Sequence, residues 1–199
     1  MCMHHHRHTH LVRNIHTVDD ANITTTGSQT YTGAVTLGDA ITLTSNNNTV
    51  SFSGSGSTVN GAKDFTVNAG SGAINFGGVL GGSSVLSSLA LATTHTTGIT
   101  LSGNITTTGS QAYNGNTTLT ANTTLTTTNS DVTFGGTLNG NAAGKTLTIA
   151  AGTGSATFTG AVGGSAVLGA TAITASTTTN NSTWVGNSTL GVTGNAVIN

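Results

Sequence analysis

The first regularity in the chain is a strict alternation of apolar and small polar residues, in runs of four to five positions. It appears as I-T-L-T from Ile41, V-S-F-S from Val50, F-T-V-N from Phe65 and I-N-F-G from Ile74, and again as L-T-I-A from Leu147 and A-T-F-T from Ala156. A period of two, bounded by Gly, Asn and Ser, predicts short strands with one buried face. These runs are themselves periodic. Phe52 recurs as Phe76 and Phe134 as Phe158 at one common interval, and Val50 to Ile74 and Val132 to Ala156 keep the same step. Leu43, Val67 and Leu91 keep the step as a further column, which Leu125, Ile149 and Ile173 carry in the second copy. Gly54 to Gly78 and Gly136 to Gly160 mark the turn side. Like residues at equal intervals, with two strands per interval, predict an all-β right-handed parallel β-helix, or β-solenoid. Coils of about 24 residues stack at about 4.8 Å and enclose ladders of like side chains.

A longer period contains the shorter one. Asn22 to Gly33, N-I-T-T-T-G-S-Q-T-Y-T-G, returns at Asn104 to Gly115 as N-I-T-T-T-G-S-Q-A-Y-N-G, which sets an 82-residue repeat. Lys63, Gly70, Gly72 and Gly81-Gly82-Ser83 return as Lys145, Gly152, Gly154 and Gly163-Gly164-Ser165. Such self-similarity marks a repeat architecture. The 24-residue step fails once per copy, because Leu91 to Leu125 is a 34-residue step. The expected organisation is an irregular His-rich tail at 1–16, then one solenoid over 17–199. Its units are about 22–103 and 104–185, with a partial unit to 199. Ser45 to Asn48 and Ser53 to Lys63 read as bulging corners. Ser83 to Ala92, the one stretch with helical character, reads as a continuation of the Leu91 column. Tandem immunoglobulin-like sandwiches are the alternative, since a unit of this length suits one such domain. A sandwich has no reason to carry the shorter period inside itself, and it would use Pro and an aromatic core anchor. Pro is absent and Trp184 is the only Trp.

Composition agrees with a β architecture and narrows the chemistry. Charged residues are 5% of the chain, Glu does not occur, and Gly numbers 29 among abundant Thr. Thr, Val and Ile stiffen the backbone in extended form through branching at Cβ. A net charge of −1 with four basic residues, Arg7, Arg13, Lys63 and Lys145, supplies no counterion-displacing footprint for nucleic acid. No apolar run reaches the length of a membrane span or reads as a signal-peptide core. The single Cys2 excludes an internal disulfide.

Few residues carry candidate chemistry, and no catalytic residue or cofactor site is expected. His4, His5, His6, His8 and His10, with His16 and Cys2 nearby, supply metal ligands in a flexible tract and are expected to bind metal only adventitiously. Asp19 and Asp20 sit where the strand edge of the first coil needs blunting. Asp39 and Asp64, about one coil apart beside Lys63, are the nearest approach to the paired carboxylates of a glycoside hydrolase. The second copy has Ala121 and Thr146 in their places, and a turn-exposed Lys63–Asp64 ion pair accounts for the first. His95, in T-T-H-T-T, reads as an exposed turn residue. No G-x-S-x-G, phosphate-loop signature or calcium-binding G-G-x-G-x-D repeat occurs. The N-x-S/T sequons at Asn22, Asn104, Asn116, Asn122 and Asn187 read as Asn/Thr-rich composition.

The paired Asn22 and Asn104 segments, with N-T-T-L-T-A-N-T-T-L, D-V-T-F-G-G-T-L-N-G and K-T-L-T-I-A-A-G-T-G-S-A-T-F-T-G-A-V-G-G-S, carry a family resemblance over roughly Ile23 to Ala175. They resemble the repeat regions of large bacterial surface exoproteins of the filamentous-haemagglutinin and autotransporter-passenger type. The resemblance implies a right-handed parallel β-helix, export to the cell surface or medium, and a non-catalytic role as adhesin shaft or filament. It implies as partner a host or environmental surface, through a glycan or protein receptor. Neither end shows a capping helix, so the chain is expected to be a piece of a longer array or to self-associate end to end. A second reading takes the outward Thr of I-T-L-T, L-T-T-T and T-T-L-T-T-T as a hydroxyl array that binds ice or glycan. A polysaccharide-acting β-helix enzyme is the third.

Overall fold

The computed structural model describes residues 11–14, 17–18, 22–186 and 189–199, with side chains from residue 17 onward. The histidines of the tail, Cys2, Asp19 and Asp20 therefore lie outside the described residues. Among the described residues all regular structure is extended, and every strand pair is parallel. The chain is a β-solenoid of about eight turns, with coils about 22 residues apart. Ser83 to Ala92 contains no helix; Ser88–Thr93 is a strand and Leu91 is buried in its column.

Each coil has three faces, not two, each held by a strand or, at Leu80, Val162 and Trp184, by a single bridge. Face 1 stacks Leu11–Asn14, Gln29–Thr32, Val50–Ser53, Ile74–Phe76, Ile99–Leu101, Thr117–Leu119 and Leu138–Gly140. Face 2 begins with Thr17–Val18, Val35–Leu37 and Val59–Asn60 and passes through Leu80 to Ile105–Thr106, Thr123–Thr126 and Lys145–Ala150. Face 3 stacks Ile23–Thr25, Ile41–Ser45, Asp64–Gly70, Ser88–Thr93, Gln111–Asn114, Val132–Phe134 and Ser155–Phe158. The 13-residue strand Leu168–Asn180 spans two faces, pairing with Lys145–Ala150 through its first half and with Ser155–Phe158 through its second. Alternation does not reveal the third strand where it is shortest. Val59–Asn60 lies inside the stretch that reads as a bulging corner, yet Val59 is fully buried.

The predicted columns form. Phe52 opposes Phe76, Phe134 opposes Phe158, Val50 opposes Ile74 and Val132 opposes Ala156. Leu43, Val67 and Leu91 align on face 3, and Leu125, Ile149 and Ile173 on face 2. These last two sets are separate ladders. Starting from Ile23, the chain buries Gln29, Val35, Ile41, Val50, Val59, Phe65, Ile74, Leu80, Leu89 and Ile99 on successive faces before Ile105. One repeat unit is thus three turns and two-thirds, and the second copy is rotated by one face. The long interval after Leu91 is no break in the stack. Leu91 opposes Tyr113, and Tyr113 opposes Phe134, across coils slightly shorter than those before them.

Rotation also divides the aromatic residues into two stacks. On face 1 the Phe52 ring lies between Tyr31 and Phe76, with centroids 4.7 and 4.8 Å away, and Phe65 from face 3 meets both Phe rings edge-on. On face 3 Tyr113, Phe134 and Phe158 stack at 4.8 and 5.4 Å, and Trp184 closes the stack edge-on. Offset pairs of this kind contribute about 0.5–1.5 kcal/mol beyond their buried area.

The Asn22 to Gly33 motif recurs because it builds a buried polar bracket. Gln29 and Gln111, the only glutamines, lie inside the core two residues before Tyr31 and Tyr113, the only tyrosines. Gln29 Nε2 donates to Thr44 O at 2.9 Å and Thr25 Oγ1 at 3.2 Å, and the Tyr31 hydroxyl donates to Gln29 Oε1 at 2.7 Å. Gln111 repeats the arrangement with Thr126 O, Thr107 Oγ1 and the Tyr113 hydroxyl at 2.9, 3.2 and 2.8 Å. A buried amide is tolerated because its donors and acceptor are matched. Burial pushes the Tyr113 phenol well above its ordinary range.

Asparagine has an equally specific use at the corners. Asn22, Asn104 and Asn122 accept backbone N–H groups of Thr42, Thr124 and Thr146 in the next coil at 2.7, 2.9 and 3.1 Å. Asn47 and Asn129 adopt φ of 61° and 55° and accept from Ser71 and Thr153 N–H at 3.0 and 3.1 Å. Asn tolerates the left-handed region better than other side chains. The sequon asparagines among the described residues therefore clamp one coil to the next.

Candidate functional site: a polar ledge at the repeat junction

Because the second copy is rotated, its long corners fall on a different edge of the prism. From face 3 to face 1, the first copy crosses from Leu43 to Val50, Val67 to Ile74 and Leu91 to Ile99, taking seven, seven and eight positions. The following coils cross from Tyr113 to Thr117 and Phe134 to Leu138 in four. The wide corner at Thr93 to Gly98 thus overhangs two narrow ones. Beneath it lies an open groove of about 290 Å³, bounded by Thr94, His95, Asn114, Asn116, Gly135 and Gly136.

The overhang is held by hydrogen bonds on both sides. Thr94 N–H donates to Gly70 O at 2.8 Å in the coil before, and Asn116 Nδ2 donates to Thr96 O at 3.2 Å from the coil after. Thr93 Oγ1 donates to Gly72 O at 2.6 Å and accepts from His95 N–H at 2.9 Å. His95 is accordingly half-buried, not the freely exposed turn residue expected. Its Nδ1 accepts the Thr97 N–H at 3.1 Å, with Thr97 Oγ1 at 2.6 Å. A backbone N–H can only donate, so the neutral ring carries its proton on Nε2 and presents a donor. Asn116 Oδ1 accepts from Thr137 N–H at 3.1 Å, whereas the exposed Asn114 amide keeps its own groups for solvent.

The other sequence candidates are dispersed. Asp39 accepts from the N–H of Ala40 at 2.7 Å, Asp64 accepts from the Ser88 hydroxyl at 2.7 Å, and Asp131 accepts from Ser155 N–H at 2.8 Å. The expected Lys63–Asp64 ion pair is not formed; Ser88, directly opposite Asp64 in the next coil, takes the carboxylate instead. Among the described residues no three of His, Cys, Asp and Glu come together as metal ligands.

At the far end, a cavity of about 40 Å³ under Leu190–Ile198 adjoins Ile173, Trp184 and Val192. Thr178 Oγ1 and Asn180 Oδ1 are buried beside it without a hydrogen-bond partner. Leu190, Val197 and Ile198 on this last strand are exposed.

Periodicity alone does not reveal the ledge, since it depends on which edge each corner occupies. The signal is present only as an inequality: eight positions from Leu91 to Ile99, against four from Tyr113 to Thr117. No protein-family model, no curated protein and no solved structure matches the chain.

Proposed function

We propose that this chain is a non-catalytic shaft segment of a secreted or cell-surface bacterial adhesin-like exoprotein, of the kind its repeats resemble. One observation carries the reading: backbone pairing and apolar ladders run coil to coil, while outward positions hold small side chains. On face 3 one outward column reads Thr42, Thr66, Ala90, Ala112, Thr133, Thr157 and Thr179. About eight coils at about 4.8 Å make a rod about 40 Å long. Such a rod sets distance and displays side chains at fixed intervals. The exposed Leu190, Val197 and Ile198 give an apolar end suited to a further coil or a second copy. The partner of an adhesin would be a host or environmental surface, met through a glycan or protein receptor. Beads coated with the full chain should be retained under flow on cell or biofilm-matrix surfaces more than beads coated with an inert protein. Equal retention on every surface tried would end the adhesive reading.

The hydroxyl-array reading keeps specific support on face 2. There Thr106, Thr126, Ala150, Thr174 and Thr193 form one outward column beside Thr124, Thr148 and Ala172. Methyls and hydroxyls then repeat about 4.8 Å along the axis and about 7 Å along each strand, a flat pattern able to order water. Thermal hysteresis at micromolar protein would favour ice binding over the shaft; its absence would retire it.

A further inference from the structure

The geometry points to the ledge at the repeat junction as a carbohydrate subsite that takes one neutral sugar unit of a glycan; this inference rests on the adhesive reading. The groove's volume, about 290 Å³, falls just under the range of drug-sized pockets, about 300–1,000 Å³, and suits one small unit. Its walls hold no Lys, Arg, Asp or Glu: Lys63, Lys145 and the described aspartates lie elsewhere in the chain, and the lining is His95, Thr, Asn and Gly. A charged ligand would find no carboxylate, ammonium or guanidinium to pair with there, and an apolar one little surface to bury against. What the groove offers is a mixture of directed donors and acceptors. His95 Nε2 is fixed as a donor by the Thr97 contact at Nδ1, and the Asn114 amide supplies both a donor and an acceptor. Sugar hydroxyls each donate and accept, so they match such a set without leaving a buried group unpaired.

The site is also pre-formed. The overhang is tied to the coil before it by Thr94 and Gly70, and to the coil after it by Asn116 and Thr96. Holding polar groups in place before binding reduces the ordering that a ligand must impose. Rotation of the copies explains why the site occurs at the junction: only there does a wide corner sit directly above narrow ones on this edge.

The test uses the full chain, isotope-labelled, with free galactose, mannose and N-acetylglucosamine as probes and glucuronic acid and a short neutral peptide as controls. At least one neutral sugar should shift the amide signals of His95, Asn114 and Gly135 with a millimolar Kd, and His95→Ala should weaken it about tenfold, as expected for one lost hydrogen bond. Gly135→Leu supplies an independent variant. A Cβ there meets only the flexible Asn114 Oδ1 at 3.2 Å and ordinary contacts beyond, so the coil should fold with the groove filled and binding abolished. An unchanged amide spectrum outside the groove verifies the fold. Absence of shifts with every neutral sugar, shifts confined to other faces, binding unaffected by Gly135→Leu, or preference for a control overturns the subsite. If coated beads still adhere while Gly135→Leu changes nothing, the adhesive reading survives and the ledge assignment falls alone.

Discussion

The buried Gln–Tyr bracket makes the sharpest stability prediction. In the second copy the Tyr113 hydroxyl, fully buried, donates to Gln111 Oε1 at 2.8 Å. Tyr113→Phe removes the donor and strands the amide oxygen, at about 1–3 kcal/mol for an unsatisfied buried polar group. Gln111→Leu strands the phenol at a similar penalty. The other acceptors suffer less. Thr126 O still receives the Thr107 N–H at 2.9 Å, and Thr107 Oγ1 still donates to Gly109 O at 2.6 Å. Each single substitution should therefore destabilise by about 2 kcal/mol. The double variant strands neither group and places two apolar side chains in contact. It should be more stable than the sum of the singles by about 1–2 kcal/mol.

The assay must be local, because a stack of coils opens piecewise and a single global free energy is poorly defined for it. Amide exchange at Thr107, Tyr113 and Phe134 reports the coils that hold the bracket. Trp184, edge-on to Phe158 at 5.1 Å, reports only the coils near its end. Additivity of the two substitutions within error would refute the reasoning. So would a Gln111→Leu variant with unchanged protection, since the amide would then be dispensable.

Phe76→Ala should cost about 3–5 kcal/mol, because its ring is fully buried, stacked on Phe52 and edge-on to Phe65, whereas Lys63→Ala should stay within about 0.5 kcal/mol; equal midpoint shifts in urea would count against the column. Gly154→Ala puts a methyl into the Ser130 backbone of the preceding coil and should cost about 3 kcal/mol through forced separation of the coils. Gly144→Ala, at φ +88° with open space around it, should cost only about 1 kcal/mol of backbone strain, so a thermal melt ranking the two the other way would be decisive. Since the folded Tyr113 pKa is raised, its stabilising contribution is complete below about pH 10, the ordinary phenol value. It is lost as pH climbs through the folded value, because the unfolded chain ionises first. Tyr113→Phe should therefore be less sensitive than the wild type in urea melts between neutral and strongly alkaline pH.

Equal spacing makes the Phe52–Phe76 and Phe134–Phe158 contacts legible, along with the solenoid itself. Where coil length changes, legibility fails. Leu91 opposes Tyr113 and Phe76 opposes Leu101, unlike pairs that no search for like residues would join. A parallel ladder demands that each coil fill its cross-section, and a leucine can continue a column of rings if a neighbouring face carries the bulk. The bracket escapes for a different reason. Alternation assigns polar residues outward and so passes over Gln29 and Gln111, although their offset from the only two tyrosines is visible. Asparagine reads as composition because its partner, a backbone N–H one coil away, has no signature of its own. Where the third strand of a coil is as short as Val59–Asn60, it lies below the length at which alternation can be recognised.

Rotation by one face ties these observations together. Were the unit a whole number of turns, like corners would fall on one edge, and wide corners would stack on wide corners with nothing beneath them. At three turns and two-thirds, the Asn47 corner lies between faces 3 and 1 while its counterpart at Asn129 lies between faces 2 and 3. Wide corners must then end above narrow ones, and a ledge becomes a necessary product of the repeat, requiring no dedicated sequence beyond the corner lengths. The same rotation moves the aromatic stack from face 1 to face 3, so neither face must accommodate rings along the whole rod. A unit that advances by two-thirds of a turn thereby distributes interior bulk and exterior recesses around the axis. This is how a nearly chargeless, uniform sequence acquires distinguishable positions on its surface.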